Sequence, residues 1–289
     1  MAALTTSDNM RLTLSGHETF HCRHLWLKKG YDFVREGHAF ADADAVVTLG
    51  VGKNMVTAIK FWLKAFDVLG PNDQLTEFAH FLFDNEAGID PYLEDDQSLW
   101  LLHYKLVKNN FASIYSLVFN EFRKEKMQFT KENFQAFVLR KSEQVNPKTA
   151  GDDFDVFKKM YLNKSEDNKL TEDSFLGLLA DLQLLKSQHK GSYFIVNSDR
   201  SSLSPAVFLY AVLDNEQFGA SVSLQALEND ENGPGNIFAL SRNAILELID
   251  LVKEQFGDDY TFNDHAGVKE FQVKKRPSDI YNVLKPVVL

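Results

Sequence analysis

The chain has 289 residues, 44% of them hydrophobic, enough to bury a sizeable core divided into two or three modules. A net charge of −10 excludes a protein that coats nucleic acid over its whole surface, and a lone cysteine, Cys22, excludes a disulfide framework and fits a reducing compartment. No stretch approaches the roughly 20 apolar residues of a spanning helix, and the start MAALTTSDNM lacks the basic-then-apolar pattern of an export signal. The expectation is a soluble, cytoplasmic protein with no membrane partner.

The charge is uneven. Residues 1–70 carry eight Lys/Arg against seven Asp/Glu, and the remaining 219 carry 23 against 34. Any nucleic-acid face is therefore expected to be local and N-terminal, leaving an acidic remainder for protein partners or metal chemistry.

In chain order, residues 15–29 read as the opening helix, with Ser15 and Glu18 at capping-box spacing. The same stretch holds His17-Glu18-x-x-His21, a pattern that on a helix aims two imidazoles at zinc with a glutamate as general base. Two features count against zinc proteolysis: the motif sits at the expected cap rather than inside a helix, and His24 stands where the extended motif has glycine. Zinc is not expected, and a helix start whose histidines hydrogen-bond or contact phosphate is the preferred reading.

Residues 43–83 follow as a short helix, a turn at Leu49-Gly50-Val51-Gly52, a longer helix over 53–66 and a returning β-segment. This is the order of a winged helix-turn-helix. Met55, Val56, Ile59, Trp62, Leu63 and Phe66 share one face of the longer helix at 3.6 residues per turn, so that face should meet the core. Lys53, Thr57, Lys60 and Lys64 share the other, with Asn54 beside them, and together they form a stripe suited to phosphates and base edges. The plain alternative is an amphipathic helix with solvated lysines. Gly50 and Gly52 and the Gly70-Pro71-Asn72-Asp73 turn, with Leu75 and Thr76 in the place of a wing, favour the DNA-binding reading. A P-loop reading fails on spacing, because Val47 and Asn54 stand where the motif needs glycine and Ser or Thr.

The acidic loop 84–96 contains Asp90, Glu94, Asp95 and Asp96. Such oxygens suit magnesium or manganese, although an acidic loop before a helix also serves as its cap. An aromatic helix follows over 98–108, then helical pattern over 114–143, with Phe129-Thr130-x-x-Asn133 opening a new helix. Residues 146–151 look like a linker before a helix at 153–161. Further on, helices are expected over 171–185, 204–213, 221–227 and 241–256, with a turn at Gly233-Pro234-Gly235 and strands at 192–196, 260–262 and 269–274. The resulting expectation is a mainly α, α+β fold: a winged helix-turn-helix module over 1–96, a helical middle region over 97–146 and a second winged-helix-like module over 147–289.

Four motifs together resemble a bacterial family known as domain of unknown function 4007. They are Ser15-Gly16-His17-Glu18-Thr19-Phe20-x-x-Arg23-x-x-Trp26-Leu27-Lys28-Lys29, Leu49-Gly50-Val51-Gly52-Lys53-Asn54-Met55, Asp90-Pro91-Tyr92-Leu93-Glu94 and Ser98-Leu99-Trp100-Leu101-Leu102-His103. The resemblance spans nearly the whole chain and extends to the DNA-nickase component of single-strand DNA phosphorothioation, a phage-defence modification that replaces a phosphate oxygen by sulfur. It implies double-stranded DNA as substrate. It also implies a cysteine desulfurase, an ATPase and an ATP-pyrophosphatase-type enzyme as partners. Phosphodiester hydrolysis needs an activated water and a cation facing the developing negative charge. His17 and Glu18 are the candidate bases, and Arg23 and Lys28 the candidate cations. The rival reading is a non-catalytic DNA-binding adaptor that recruits the sulfur-transfer enzymes.

Overall fold

The computed structural model describes residues 12–162, 176–189, 191–265 and 267–285. Helices α1 (Trp26–Arg35), α2 (Ala45–Leu49), α3 (Lys53–Ala65) and α4 (Glu77–Phe83) make up the N-terminal part. Helix α5 (Asp96–Asn109) runs through the middle of the core and is followed by α6 (Ser113–Leu117), a π-helical turn (Val118–Phe122) and α7 (Arg123–Glu125). Next come β1 (Gln128–Phe129), α8 (Lys131–Lys141), α9 (Pro147–Tyr161), β2 (Lys186–His189) and β3 (Ser192–Phe194). The C-terminal part consists of α10 (Pro205–Asp214), β4 (Ser221–Ser223), α11 (Leu224–Asn229), α12 (Pro234–Ile237), α13 (Arg242–Phe256), β5 (Tyr260–His265) and β6 (Val268–Val273). The fold is mostly helical with two small antiparallel sheets, ordered β1-β3-β2 and β4-β6-β5.

The apolar face expected on α3 is buried: Val56, Ile59, Trp62 and Leu63 point inward and Lys53, Asn54 and Thr57 outward. The core continues into α5, where every residue from Ser98 to Val107 is buried. A helix buried all round must satisfy its polar groups internally. His103 does so between the Tyr161 hydroxyl and the Ile237 carbonyl, each at 2.8 Å, which ties α5 to α9 and α12. Burial drives its pKa down to about 3. Each buried large apolar side chain on α5 contributes about 2 kcal/mol of transfer free energy.

Several expectations change. Residues 15–25 are not helical, and α1 begins at Trp26. Ser15, Gly16, Glu18 and Thr19 all take positive φ (71°, 97°, 49° and 63°), which breaks a helix and removes the capping box. Gly16 is required by close approach as well, since a Cβ there would meet the Phe61 ring at 2.8 Å. The expected β-return reduces to one bridge, Leu69 to Leu75, after which the chain enters α4 with Thr76 as its cap. The expected linker is the first part of α9, where Asn146 caps, Pro147 sits in the first turn and Gly151 packs against α8 side chains.

Of the helix expected over 171–185, the first part lies outside the described residues, and the rest is a 3₁₀ turn (Ala180–Leu182) leading into β2, which had no sequence signal. Residues 221–223 form β4 rather than a helix start, and Gly233-Pro234-Gly235 opens the short helix α12. The expected α8, α10 and α13 are present, capped by Thr130, Ser204 and Ser241.

Candidate nucleic-acid interface

Helices α1, α2 and α3 pack on one another around Phe33, Ala45, Leu49 and Val56. Gly50 ends α2 at φ 61°, the left-handed conformation that lets its N–H return to the carbonyls of Val46 and Val47. Gly52 is the extended N-cap of α3. The tight turn leaves Lys53, Asn54 and Thr57 exposed at the start of α3, and among the described residues Lys53 has no ion-pair partner.

The far half of the stripe is different. Lys60 and Lys64 both reach Asp73, at 2.6 and 2.7 Å, across the Gly70–Asp73 turn. Asp73 is held in position at φ 58°, and its carboxyl is pulled below the usual range first by hydrogen bonding from Lys60, then from Lys64. The five DNA-contact candidates therefore divide into an open trio, Lys53, Asn54 and Thr57, and a pair already neutralised.

The four catalytic candidates have different settings. His17 is buried, its Nε2 2.6 Å from Oδ1 of Asp153 on α9. The same oxygen accepts the Ser15 N–H at 2.8 Å. The His17 ring stacks on Trp62 at 5.8 Å and meets Phe61 edge-on at 5.4 Å. Glu18 is exposed at a left-handed bend. Arg23 lies over the Trp26 ring at 5.3 Å. Lys28 is buried, with its ammonium donating to Asp32 at 2.6 Å and to the Asn85 side chain at 2.7 Å. The geometry joins His17 to α3 and α9, and Lys28 to the loop after α4. With no helix at residues 17–21, His17 and His21 also lack the spacing by which a helical H-E-x-x-H grips zinc. Asp153, the residue that gives His17 its setting, lies 136 positions away, and no local pattern announces it.

In the acidic loop, Asp90 accepts the N–H groups of Glu94 and Asp95, and Asp95 caps α5 through the Gln97 N–H. Glu94 and Asp96 are exposed on the rim of an open pocket of about 560 Å³. Among the described residues no three His, Cys, Asp or Glu side chains converge as a metal-binding group. Glu94, Asp95 and Asp96 are not part of such a group.

Fold and surface define a mostly helical α+β protein in which α2, a tight turn and α3 leave Lys53, Asn54 and Thr57 exposed, and no helix among the described residues is long and apolar enough to cross a membrane. The chain belongs to the family described as "Protein of unknown function (DUF4007)", which matches residues 14–287. It is similar to a crystal structure of SspB with bound magnesium ion, at 26% identity and a TM-score of 0.85, covering 98% of this chain and 89% of that one. A second SspB crystal structure matches at the same identity and coverage with a TM-score of 0.83. No functionally curated protein matches.

Proposed function

We propose that this protein binds double-stranded DNA through the start of α3 and acts in a DNA phosphorothioation system as the component that nicks one strand. The observation carrying the binding half is the open trio Lys53, Asn54 and Thr57 at the second helix of a helix-turn-helix, where such a helix reaches the major groove. The C-terminal order of helix, strand, three helices and hairpin, with its β4-β6-β5 sheet, supports a second winged-helix-like module. The nicking half rests on likeness to SspB and on the family resemblance. Its cytoplasmic partners are then the desulfurase, ATPase and ATP-pyrophosphatase-type enzymes of such a system. Magnesium and manganese are the ions to test, and one or two carboxylates such as Glu94 and Asp96 with water is a common magnesium arrangement.

The adaptor reading is favoured by one observation: His17 and Lys28 are buried and engaged by Asp153, Asp32 and Asn85, which gives both a structural occupation. Supercoiled plasmid incubated with purified protein, with and without magnesium or manganese, separates the two readings. A metal-dependent relaxed product that co-purifies with the protein supports the nickase, and DNA retention without relaxation supports the adaptor.

A further inference from the structure

A cavity of about 900 Å³ lies between the β1-β3-β2 sheet and the α11–α12 corner, far in sequence from the α3 face. Its floor is Arg123, buried, directly after the π-helical turn. π-turns inside helices are frequent at functional sites. The Arg123 guanidinium donates to the carbonyls of Phe119, Gly235 and Asn236 and to the Asn197 side chain. Arg200 stands behind the same wall and donates to the carbonyls of Val196, Phe238 and Ala239. Lys124, at the rim, donates to the Asn229 carbonyl.

Every one of these acceptors is neutral. Among the described residues no carboxylate pairs with Arg123, Arg200 or Lys124. Asp230 and Glu121 offset part of the lowering of Lys124, Glu121 is itself held by Lys141, and Glu228, the carboxylate that lines the cavity, is held by Arg242. Burial pulls Arg123 down to about 10, with Arg200 adding to the effect, and pulls Lys124 down with help from Arg123. Arg123 therefore lines the cavity with only neutral hydrogen-bond acceptors, and the cations beside it add to its charge rather than offset it. A purely structural role, capping the carbonyls at the end of α12, offsets only a fraction of this charge, since a helix end carries about half an elementary charge.

We infer that this cavity is a nucleotide site, in which Arg123 and Lys124 hold a phosphate and the surrounding walls hold the base. The walls suit that ligand. Phe194, Ile195 and Val196 give an apolar side, Met127 projects over the mouth with 83% of its surface exposed, and Gln128 and Gln188 offer amides that both donate and accept. The ligand is a 5′-phosphorylated nucleoside, either free or as part of an unpaired strand, and the site is independent of the α3 face.

The test uses the full-length protein, isothermal titration calorimetry with 5′-deoxyadenosine monophosphate, and Asn197→Asp, which places a carboxylate on Arg123 at unchanged size. Wild type should bind saturably, and inorganic phosphate should compete. Asn197→Asp should bind at least about tenfold more weakly while melting at the same or a higher temperature. Lys124→Glu should also weaken binding, and Lys53→Ala should leave it unchanged. Displacement by a short single-stranded oligonucleotide supports a strand as the source, and binding without displacement supports a free nucleotide. Absence of saturable binding, equal affinity in Asn197→Asp, or equally tight binding of unphosphorylated deoxyadenosine overturns the proposal.

Discussion

Helix α3 in the N-terminal part and helix α13 in the C-terminal part are both long amphipathic helices, of 13 and 15 residues. Their inner faces match: Val56, Ile59, Trp62 and Leu63 on α3, and Ala244, Ile245, Leu248, Ile249 and Val252 on α13, are all buried. Their outer faces differ. α3 shows Lys53, Asn54 and Thr57, while α13 shows Glu247, Asp250 and Glu254 with Lys253 between them, and its Arg242 is held by Glu228 at 3.1 Å. The half with the complete three-stranded sheet carries the acidic helix, and the half whose β-return is one bridge carries the basic one. Packing alone therefore does not choose the partner. On the proposed DNA-binding reading surface charge does, because phosphate contacts supply a large share of the affinity for DNA and an acidic helix repels it.

The comparison breaks most severely at the tie behind α3. Asp153→Ala leaves the buried His17 ring and the part-buried Ser15 N–H without their acceptor, so we expect a loss of about 3 kcal/mol in denaturant unfolding. Asp153→Asn, which keeps an acceptor, should lose less. A melt indistinguishable from wild type for both would mean that this tie does not support α3.

Next in size is the open trio. Lys53→Ala with Asn54→Ala should weaken duplex binding about tenfold and reduce the salt slope by about one counterion. Unchanged affinity in a folded protein moves the DNA face elsewhere. The acidic helix gives the converse. Glu247→Lys with Glu254→Lys should raise non-specific duplex affinity several-fold and steepen its salt dependence, and a gel shift unaltered by the change would show that α13 faces away from DNA.

The smallest effect belongs to the Lys60–Asp73–Lys64 cluster. Asp73→Ala frees two lysines on the same stripe and should raise affinity about two- to threefold at low salt, an advantage that screening removes at high salt. If affinity falls instead, Asp73 is needed to hold the stripe in shape.

Helix existence was legible locally. The alternation of apolar and charged residues on α3 and α13, and the Thr130, Ser204 and Ser241 caps, depend on neighbours within one turn. The same is true of the exposed start of α3, since Gly50 at its left-handed φ ends α2 and opens the turn that presents it. Short strands and irregular segments were not legible. β1 has two residues, and β2 pairs with β3 as part of a sheet assembled from distant chain segments.

The 15–29 stretch shows the limit most clearly. Helical spacing of Ser15 and Glu18 suggested a cap, but the bend is imposed by the Phe61 ring against Gly16 and by Asp153, which takes both His17 and the Ser15 N–H. By itself the sequence determined helices α3, α8, α10 and α13, the Thr130, Ser204 and Ser241 caps and the lysines at the start of α3, because each depends on residues within a turn or two. Tertiary structure alone decided that His17 and Lys28 are buried ties, that Asp73 neutralises half the stripe, and that Arg123 and Lys124 line one cavity with Arg200 bonded to its Val196 wall. Each of those outcomes depends on partners that only folding brings within hydrogen-bonding distance or into one another's electrostatic field.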